Sequence, residues 1–480
     1  MTQETRVLTT RHEWLIRAAI ITATGVCVIL ILGPSTRETV GGAAVTLMLL
    51  LVFLKVPIGI ALTAPGVLGL YGLYGPAAAT SLLGRLPYDT VASWELSVIP
   101  MFIFMGVLLW RAGVTQRVYS AARGLIGWMP GGLAVVTNGA GAGLAAVSGT
   151  TVGTVHALAR IGVPEMLRAG YDRRLAVGST IVAGLPGQVI PPSIFLVIYA
   201  GLAQVPVGQQ LIAGVVPGLL MAAFFALTVI AICTARPQLA GVRTGSSRDR
   251  FRARELRTAA TLWPLPTLIV LVLGGMYTGA VTVTEAGAVG ALGATLLALW
   301  YQRKDQPWQK VATATTDTLK SVGTIFFLFI GAMALARVLS VSGIGPGFAR
   351  WVGDMGFTRI EFLLIILVTF VIMGMFMDPL SIMLLTVPLL IPVVAELGIS
   401  PLWFGVFVVI LAEVAIITPP VGVLAFIVHD LVKDPDVSLG QRITLGDVFR
   451  GIALFLPAIA VLCVVLIAAP GLATFLPSHM

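Results

Sequence analysis

The sequence is short of charge. Asp, Glu, Lys and Arg together supply 11% of its 480 residues, whereas a soluble domain carries about a quarter. With 58% hydrophobic residues, it has too few polar side chains to cover a water-facing surface. Cysteine is rare as well. Cys27, Cys233 and Cys463 each lie in or at the edge of an apolar run, without metal-ligand spacing, and read as small buried hydrophobes. The chain has four histidines, and no Ser-His-Asp order or zinc motif stands out. It also lacks a Gly-x-x-x-x-Gly-Lys-Ser/Thr loop, so ATP hydrolysis within the chain is not expected. The formal charge of +9 is no nucleic-acid signature, because the basic residues sit in short connecting loops, as they do on the cytoplasmic side of membrane proteins.

Long apolar runs recur from Trp14 to Pro477. Each approaches the ~20 residues that a helix needs to cross a bilayer. Backbone groups in lipid must pair within the protein, so these runs predict an all-α polytopic membrane protein. Trp14 to Leu32 follows Arg6, Arg11 and Arg17 and runs on through Gly33-Pro34-Ser35-Thr36, which predicts an uncleaved first helix rather than a signal peptide. With the basic clusters inside, the N-terminus is cytoplasmic and the C-terminus external. Helices then follow at Val40 to Leu54 and Val56 to Tyr74, an external segment at Gly75 to Leu96, and an inward helix at Val98 to Trp110. Both flanks of Pro130 to Arg160 are cytoplasmic by charge. This segment therefore predicts a re-entrant hairpin with its tip at Ser148-Gly149-Thr150-Thr151. Arg173 to Ala203 is broken at Pro191-Pro192, and Val205 to Cys233 returns to the basic loop Arg236 to Arg257.

The second half threads alike. Thr261 to Met276, Ala286 to Trp300 and Val322 to Leu339 are helices. Phe357 to Leu397 is a second hairpin broken near Met377-Asp378-Pro379, and Leu402 to Val428 is broken at Pro419-Pro420 before a last helix at Gly451 to Phe475. Arg350 and Arg359 fall on the external side against the charge rule. The hairpin breaks Thr150 and Asp378 are separated by 378 − 150 = 228 residues, as are Pro191 and Pro419. The threading reverses direction between the halves, which predicts an inverted repeat with its site near the midplane.

Non-helical backbone at membrane depth is tolerated where protein buries it or a wet cavity meets it. Proline removes a donor and disfavours helix in the residue before it, which frees carbonyls that can face an ion. Ser148, Gly149 and Thr150, paired with Gly184 and Gly187, therefore make one candidate sodium site of neutral oxygens. Gly374 and Asp378, paired with Ile417, Thr418 and Gly422, make another. Pro191, Pro192, Pro419 and Pro420 are the structural bends. Asp378 and Glu413 are carboxylates at membrane depth, where ionisable residues are functional candidates by default. Thr151 and Glu413 are assigned as substrate-proximal. Arg111 to Arg123 and Gly343 to Met355 are candidate amphipathic arms in the interface plane.

Several motifs in order resemble the large membrane subunit of the TRAP (tripartite ATP-independent periplasmic) transporters. They are Ala145-Ala-Val-Ser148-Gly149, Pro164-Glu-Met166-Leu-Arg-Ala-Gly170-Tyr171, Ile190-Pro191-Pro192-Ser193-Ile, Met377-Asp378, Pro388 with Pro392, Thr418-Pro419-Pro420-Val421-Gly422 and Ala469-Pro470-Gly471 to Pro477. The resemblance spans about Val40 to Pro477. It implies an elevator-type fold related to the ion transporter superfamily, with Na⁺ as the coupling ion at the hairpin tips and facing bends. It implies a small four-helix membrane subunit, a periplasmic substrate-binding protein, and an organic-acid substrate such as a C4-dicarboxylate or sialic acid. The location implied is the bacterial or archaeal cytoplasmic membrane. The first tip departs from the family pattern by reading Ser-Gly-Thr-Thr-Val-Gly, which touches Thr151 and Val152, and the chain starts with one extra helix.

The expected layout is an extra helix at 1–36, scaffold helices at 37–96, first-repeat transport elements at 97–204, and scaffold helices with the basic loop at 205–320. Second-repeat transport elements follow at 321–432 and a C-terminal helix at 433–480. The alternative function is a stand-alone sodium- or proton-coupled carboxylate carrier. A polytopic enzyme would need a chemistry cluster at one leaflet, which the sequence does not show.

Overall fold

The computed structural model describes residues 20–126, 129, 131–240, 264–303, 306–419 and 422–480. Trp14 at the start of the first run, Pro130, the end of the basic loop beyond residue 240, Thr261, Pro420 and Val421 lie outside the described residues.

Helices account for nearly all of the described chain, and the one β feature among the described residues is an isolated bridge between Tyr171 and Ala240. In order, they are α1 (Ile20–Leu32), α2 (Arg37–Phe53), α3 (Ile58–Val91), α4 (Val98–Arg111), α5 (Val114–Ile126), α6 (Gly132–Ser148), α7 (Thr151–Arg168), α8 (Arg173–Val182), α9 (Ile194–Ala203), α10 (Val207–Ala213) and α11 (Val215–Ala235). The second half contains α12 (Pro264–Tyr277), α13 (Val283–Tyr301), α14 (Pro307–Ser342), α15 (Ile344–Asp354), α16 (Arg359–Gly374), α17 (Pro379–Glu396), α18 (Pro401–Ala415), α19 (Val423–Leu431), α20 (Pro435–Ser438), α21 (Leu445–Ala453), α22 (Leu456–Ala468) and α23 (Gly471–Thr474). Six spans among the described residues are long and apolar enough to cross a bilayer, and a seventh arises if α4 and the helix bent 68° from it count together. Large apolar side chains face outward, among them Ile29 at 71% and Phe53 at 75% exposure, as lipid-facing positions require.

The expected external segment after Tyr74 is mostly helical. Gly75 adopts φ 76 and ψ 171, which kinks α3 without ending it, and the helix restarts at Pro76 and runs to Val91. Proline in a first turn loses no helical hydrogen bond, so Gly75-Pro76 redirects the helix.

The chain divides into two compact units. The first comprises residues 1–93, 323–357 and 384–398. There α3 runs along the second half of α14 through a stripe of small residues. A methyl added at Gly66 would lie 2.8 Å from the Ala334 Cβ, and one at Gly69 would lie 2.8 Å from Val338. Close backbone approach of this kind is how membrane helices gain contact where lipid offers no hydrophobic drive.

The second unit comprises residues 94–322, 358–383 and 399–480. Its core holds the buried aromatics Tyr199, Phe225, Trp403, Phe404, Phe407 and Phe455. Trp403 donates its indole N–H to the Leu466 carbonyl at 3.1 Å, and Tyr199 donates to the Pro401 carbonyl at 2.7 Å, so each buried polar tip is satisfied. Arg173 and Arg174 reach Asp447 at 3.2 and 3.3 Å, tying the start of α8 to α21.

The 228-residue offset carries through to the elements. Helices α7 and α17 are both 18 residues long and start and end at the same offset. Each holds a proline at the matching place, Pro164 and Pro392. Each is followed by a left-handed glycine, Gly170 at φ 79 and Gly398 at φ 61. Asp172 and Ser400 then cap α8 and α18, and α10 and α20 begin in the same register.

Candidate functional site

The first interrupted element is the α6–α7 hairpin. Helix α6 ends at Ser148, and Gly149 turns the chain at φ 65. A left-handed residue between two helices costs least as glycine. Thr150 then caps α7, its hydroxyl accepting from the Gly153 amide at 3.3 Å. Around this turn the Ser148 hydroxyl lies 3.0 Å from the Thr154 hydroxyl and 3.4 Å from the Thr150 carbonyl oxygen. Three neutral oxygens thus collect at the tip, a donor set that suits a hard monovalent cation.

The second interrupted element is the α8–α9 break. It is longer than the Pro-Pro bend alone: α8 stops at Val182, a tight turn covers Leu185–Gln188, and α9 resumes at Ile194 after the cis Pro191-Pro192 bond. Gly184 and Gly187 pack against the hairpin. A methyl on Gly184 would meet Thr151 Cγ2 at 3.1 Å, and one on Gly187 would lie 2.5 Å from the Ala142 carbonyl oxygen and against Ala145 and Ala146. Gly184 thus packs on Thr151, Gly187 packs on the last turns of α6, and Gly149 faces Ile194 of α9.

Gln188 joins the two elements. Its side chain is fully buried, and in the amide orientation that satisfies both ends, Oε1 accepts from the Thr150 amide at 2.9 Å and the Thr151 amide at 3.0 Å. Those are orphan donors at the start of α7, so a side chain from the break closes them. Ser193 caps α9 and donates its hydroxyl to the Gln188 carbonyl. Neither Gln188 nor Ser193 is among the sequence-assigned site residues. A polar glutamine in an apolar break is the signal that identifies it.

A third interrupted element reaches the same place. Glu413 lies near the end of α18, is buried to 1% exposure, and accepts the Thr151 hydroxyl bond at 2.6 Å. Thr151 and Glu413, the two residues assigned as substrate-proximal, are in direct contact. Past Glu413 the helix unwinds. Thr418 donates its hydroxyl to the Val414 carbonyl at 2.7 Å, Gly422 adopts φ 52, and α19 begins at Val423. A methyl on Gly422 would lie 3.0 Å from the Ile417 carbonyl oxygen, so Ile417 and Gly422 are neighbours across the bend. Pro419 belongs to this bend, while its partner Pro420 lies outside the described residues.

Gly374, at the end of α16, packs against Ala415, and a methyl there would lie 2.8 Å from Ala415 Cα. This joins the second hairpin's first arm to the second broken helix. Asp378 caps α17: it accepts from the Ser381 amide at 3.1 Å and from the Ser381 hydroxyl. The Asp378 carboxylate is exposed and turned to its own helix. Among the described residues, no cluster of three or more His, Cys, Asp or Glu side chains is arranged to hold a metal.

Residues 45–472 match the family model described as "Tripartite ATP-independent periplasmic transporter, DctM component". The chain is 33% identical over 410 residues to the C4-dicarboxylate TRAP transporter large permease protein DctM of Pseudomonas aeruginosa, covering 85% of this chain and 92% of that one. It is 30% identical to the ectoine/5-hydroxyectoine TRAP transporter large permease protein UehC of Ruegeria pomeroyi, covering 89% and 96%. Its fold is shared with the crystal structure of the Alcanivorax borkumensis YdaH transporter at TM-score 0.59 and 18% identity, covering 91% and 98%. The broken helices and the hairpin that meet at Thr151 are thus carried by a multi-pass membrane chain that belongs to the DctM family of large TRAP transporter permease subunits.

Proposed function

We propose that this chain imports small organic acids across the cytoplasmic membrane by sodium symport. A periplasmic binding protein delivers the substrate and a small four-helix membrane subunit lies beside the chain. The observation that carries the reading is the meeting of two interrupted helices at one hairpin tip. Gln188 holds the Thr150 and Thr151 amides, and Glu413 takes the Thr151 hydroxyl. Interrupted helices near the midplane are how secondary transporters expose carbonyls to an ion. The oxygens of Ser148, Thr150 and Thr154 support sodium over a divalent metal, because none of them is charged.

The coupling follows from the same contacts. A cation at the Ser148–Thr154 tip neutralises part of a substrate carboxylate and draws the tip onto the break, so the loaded form closes more readily than the form with sodium alone. Ligand binding shifts such an equilibrium only by its differential affinity for the two states. The hairpins and broken helices move as an elevator, with Asp378, Thr418 and Gly422 serving a second ion. The substrate class rests on the relatives, whose names give C4-dicarboxylate and ectoine.

The test is uptake into proteoliposomes that hold the chain with its small subunit and binding protein. Uptake of a radiolabelled organic acid should require both an inward sodium gradient and the binding protein. Uptake unchanged without the binding protein supports the stand-alone carrier, and uptake equal with and without sodium removes the ion sites.

A further inference from the structure

Within the second unit, the starts of α8 and α21 carry an arginine cluster that the hairpin and the breaks do not use. Arg173 and Arg174 both pair with Asp447, and Arg173 also donates to the Arg442 carbonyl at 3.0 Å. Asp447 is buried, with 3% of its side chain exposed, whereas the two arginine side chains keep 40% and 43%. Both reach the carboxylate through Nε, which leaves Nη nitrogens for a further acceptor. Arg442 and Arg450 are exposed, and neither has an acidic partner among the described residues. The nearby acids are occupied. Asp172 accepts from the Arg174 amide at 2.8 Å, Asp430 pairs with Lys433 at 3.0 Å, and α20, which carries Asp434 and Asp436, packs against α7. Further along α21 the surface turns apolar. Phe449 meets Phe426 of α19 edge-on, with ring centres 6.4 Å apart, and Phe426 is 45% exposed. Leu445 opens an apolar span that runs to Ala468, so the cluster lies at a membrane boundary. The charge rule puts that boundary on the cytoplasmic side.

We propose that this surface binds the phosphate headgroup of an anionic phospholipid, with the acyl chains lying along Phe426 and Phe449. Guanidinium groups match phosphate oxygens in parallel pairs, and a basic cluster beside a membrane span attracts anionic lipid. A free phosphate would use the arginines alone. The exposed Phe426 and the neighbouring Phe449 give a lipid more to bind than its headgroup. Binding bears on transport through the helix that carries the cluster. Helices α8 and α21 meet at Gly178 and Gly451, where a side chain on either would run into the other's backbone. The far end of α8 leads into the break that holds Gln188. A lipid that clamps α8 to α21 therefore steadies the base of that break.

The test uses the chain purified with its small subunit in a neutral detergent, with thermal stabilisation read by scanning fluorimetry. The probes are dioleoyl phosphatidylglycerol, dioleoyl phosphatidylcholine and inorganic phosphate. Phosphatidylglycerol should raise the melting temperature in a saturable way, and the other two should not. The double variant Arg442→Gln with Arg450→Gln leaves the Asp447 pairs in place, so its melting temperature without lipid should hold. Each basic residue near an anionic surface is worth about fivefold in affinity, so the half-saturating phosphatidylglycerol concentration should rise about tenfold or more. Phe426→Ser, at an exposed position, is a second variant and should weaken the lipid effect with every arginine intact. Equal stabilisation by phosphatidylcholine means that the headgroup charge is not read and overturns the inference. Equal stabilisation by inorganic phosphate makes the cluster a site for the free anion and overturns the lipid. A phosphatidylglycerol curve unchanged in both variants, or no effect of that lipid on the wild-type chain, overturns it as well.

Discussion

Thr151 and Glu413 lie 262 positions apart and are joined by a 2.6 Å hydrogen bond, with both side chains buried. The bond fixes the first residue of α7 to the end of α18, so the first hairpin's tip and the second half's broken helix share one polar contact. Losing one partner of a buried bond costs about 1–3 kcal/mol. Thr151→Val and Glu413→Ala should each slow sodium-driven uptake by about tenfold or more, and Glu413→Gln, which keeps an acceptor, should lose less. A double-mutant cycle on uptake checks it. Coupling of about 0.5–3 kcal/mol is expected, and additive losses would mean that the two residues act apart.

Gln188 closes the Thr150 and Thr151 amides from within the α8–α9 break. Gln188→Leu keeps the volume but strands both donors. It should destabilise the protein by about 1–3 kcal/mol, seen as a lower melting temperature, and abolish uptake. Gln188→Glu offers oxygen acceptors to the same amides and should retain more stability than Gln188→Leu. Equal melting temperatures for the two variants would remove Gln188 as the clasp.

The two repeats solve one packing problem with opposite residues. Gly187 of the break packs on Ala146 of the hairpin arm. At the same 228-residue offset, Ala415 of the broken helix packs on Gly374 of the arm. An extra methyl on either glycine overfills the contact, at a cost of about 1–3 kcal/mol. Gly374→Ala should lower the melting temperature, and adding Ala415→Gly should restore most of it. If the pair is no more stable than Gly374→Ala alone, the contact is not what the glycine serves.

Much of this was legible in the sequence. The spacing of Thr150 and Asp378 anticipates helices α7 and α17, which agree in length and register, because proline, glycine and cap positions act locally. The break positions at Gly149 and at Pro191-Pro192 were legible for the same reason. The partners of those residues were not. Gln188, Ser193 and Thr154 take their roles from contacts across a turn or between helices, which no local pattern encodes. The helix through Pro76 to Val91 was hidden because Gly75-Pro76 reads as a stop, and only backbone geometry shows it to be a kink.

Asp378 offers a sharper separation of roles. Its carboxylate caps α17 through Ser381. Asn caps about as well as Asp, whereas Ala costs about 0.5–2 kcal/mol. As a cap alone, Asp378→Asn keeps both stability and sodium dependence. As an ion ligand, it keeps stability but shifts the sodium concentration for half-maximal uptake upward. The proposed second sodium site predicts the shift, and sodium titration of uptake by the two proteins measures it.

The central claim is that the oxygens at the first hairpin tip hold the coupling ion. Its most direct test is the sodium dependence of initial uptake rate in proteoliposomes for the wild-type chain and for Ser148→Ala, with melting temperature measured alongside. The account predicts a half-saturating sodium concentration raised by about tenfold, equal to about 1.4 kcal/mol of ion binding, at an unchanged melting temperature. The same sodium curve for both proteins, or uptake that ignores sodium in either, would contradict it.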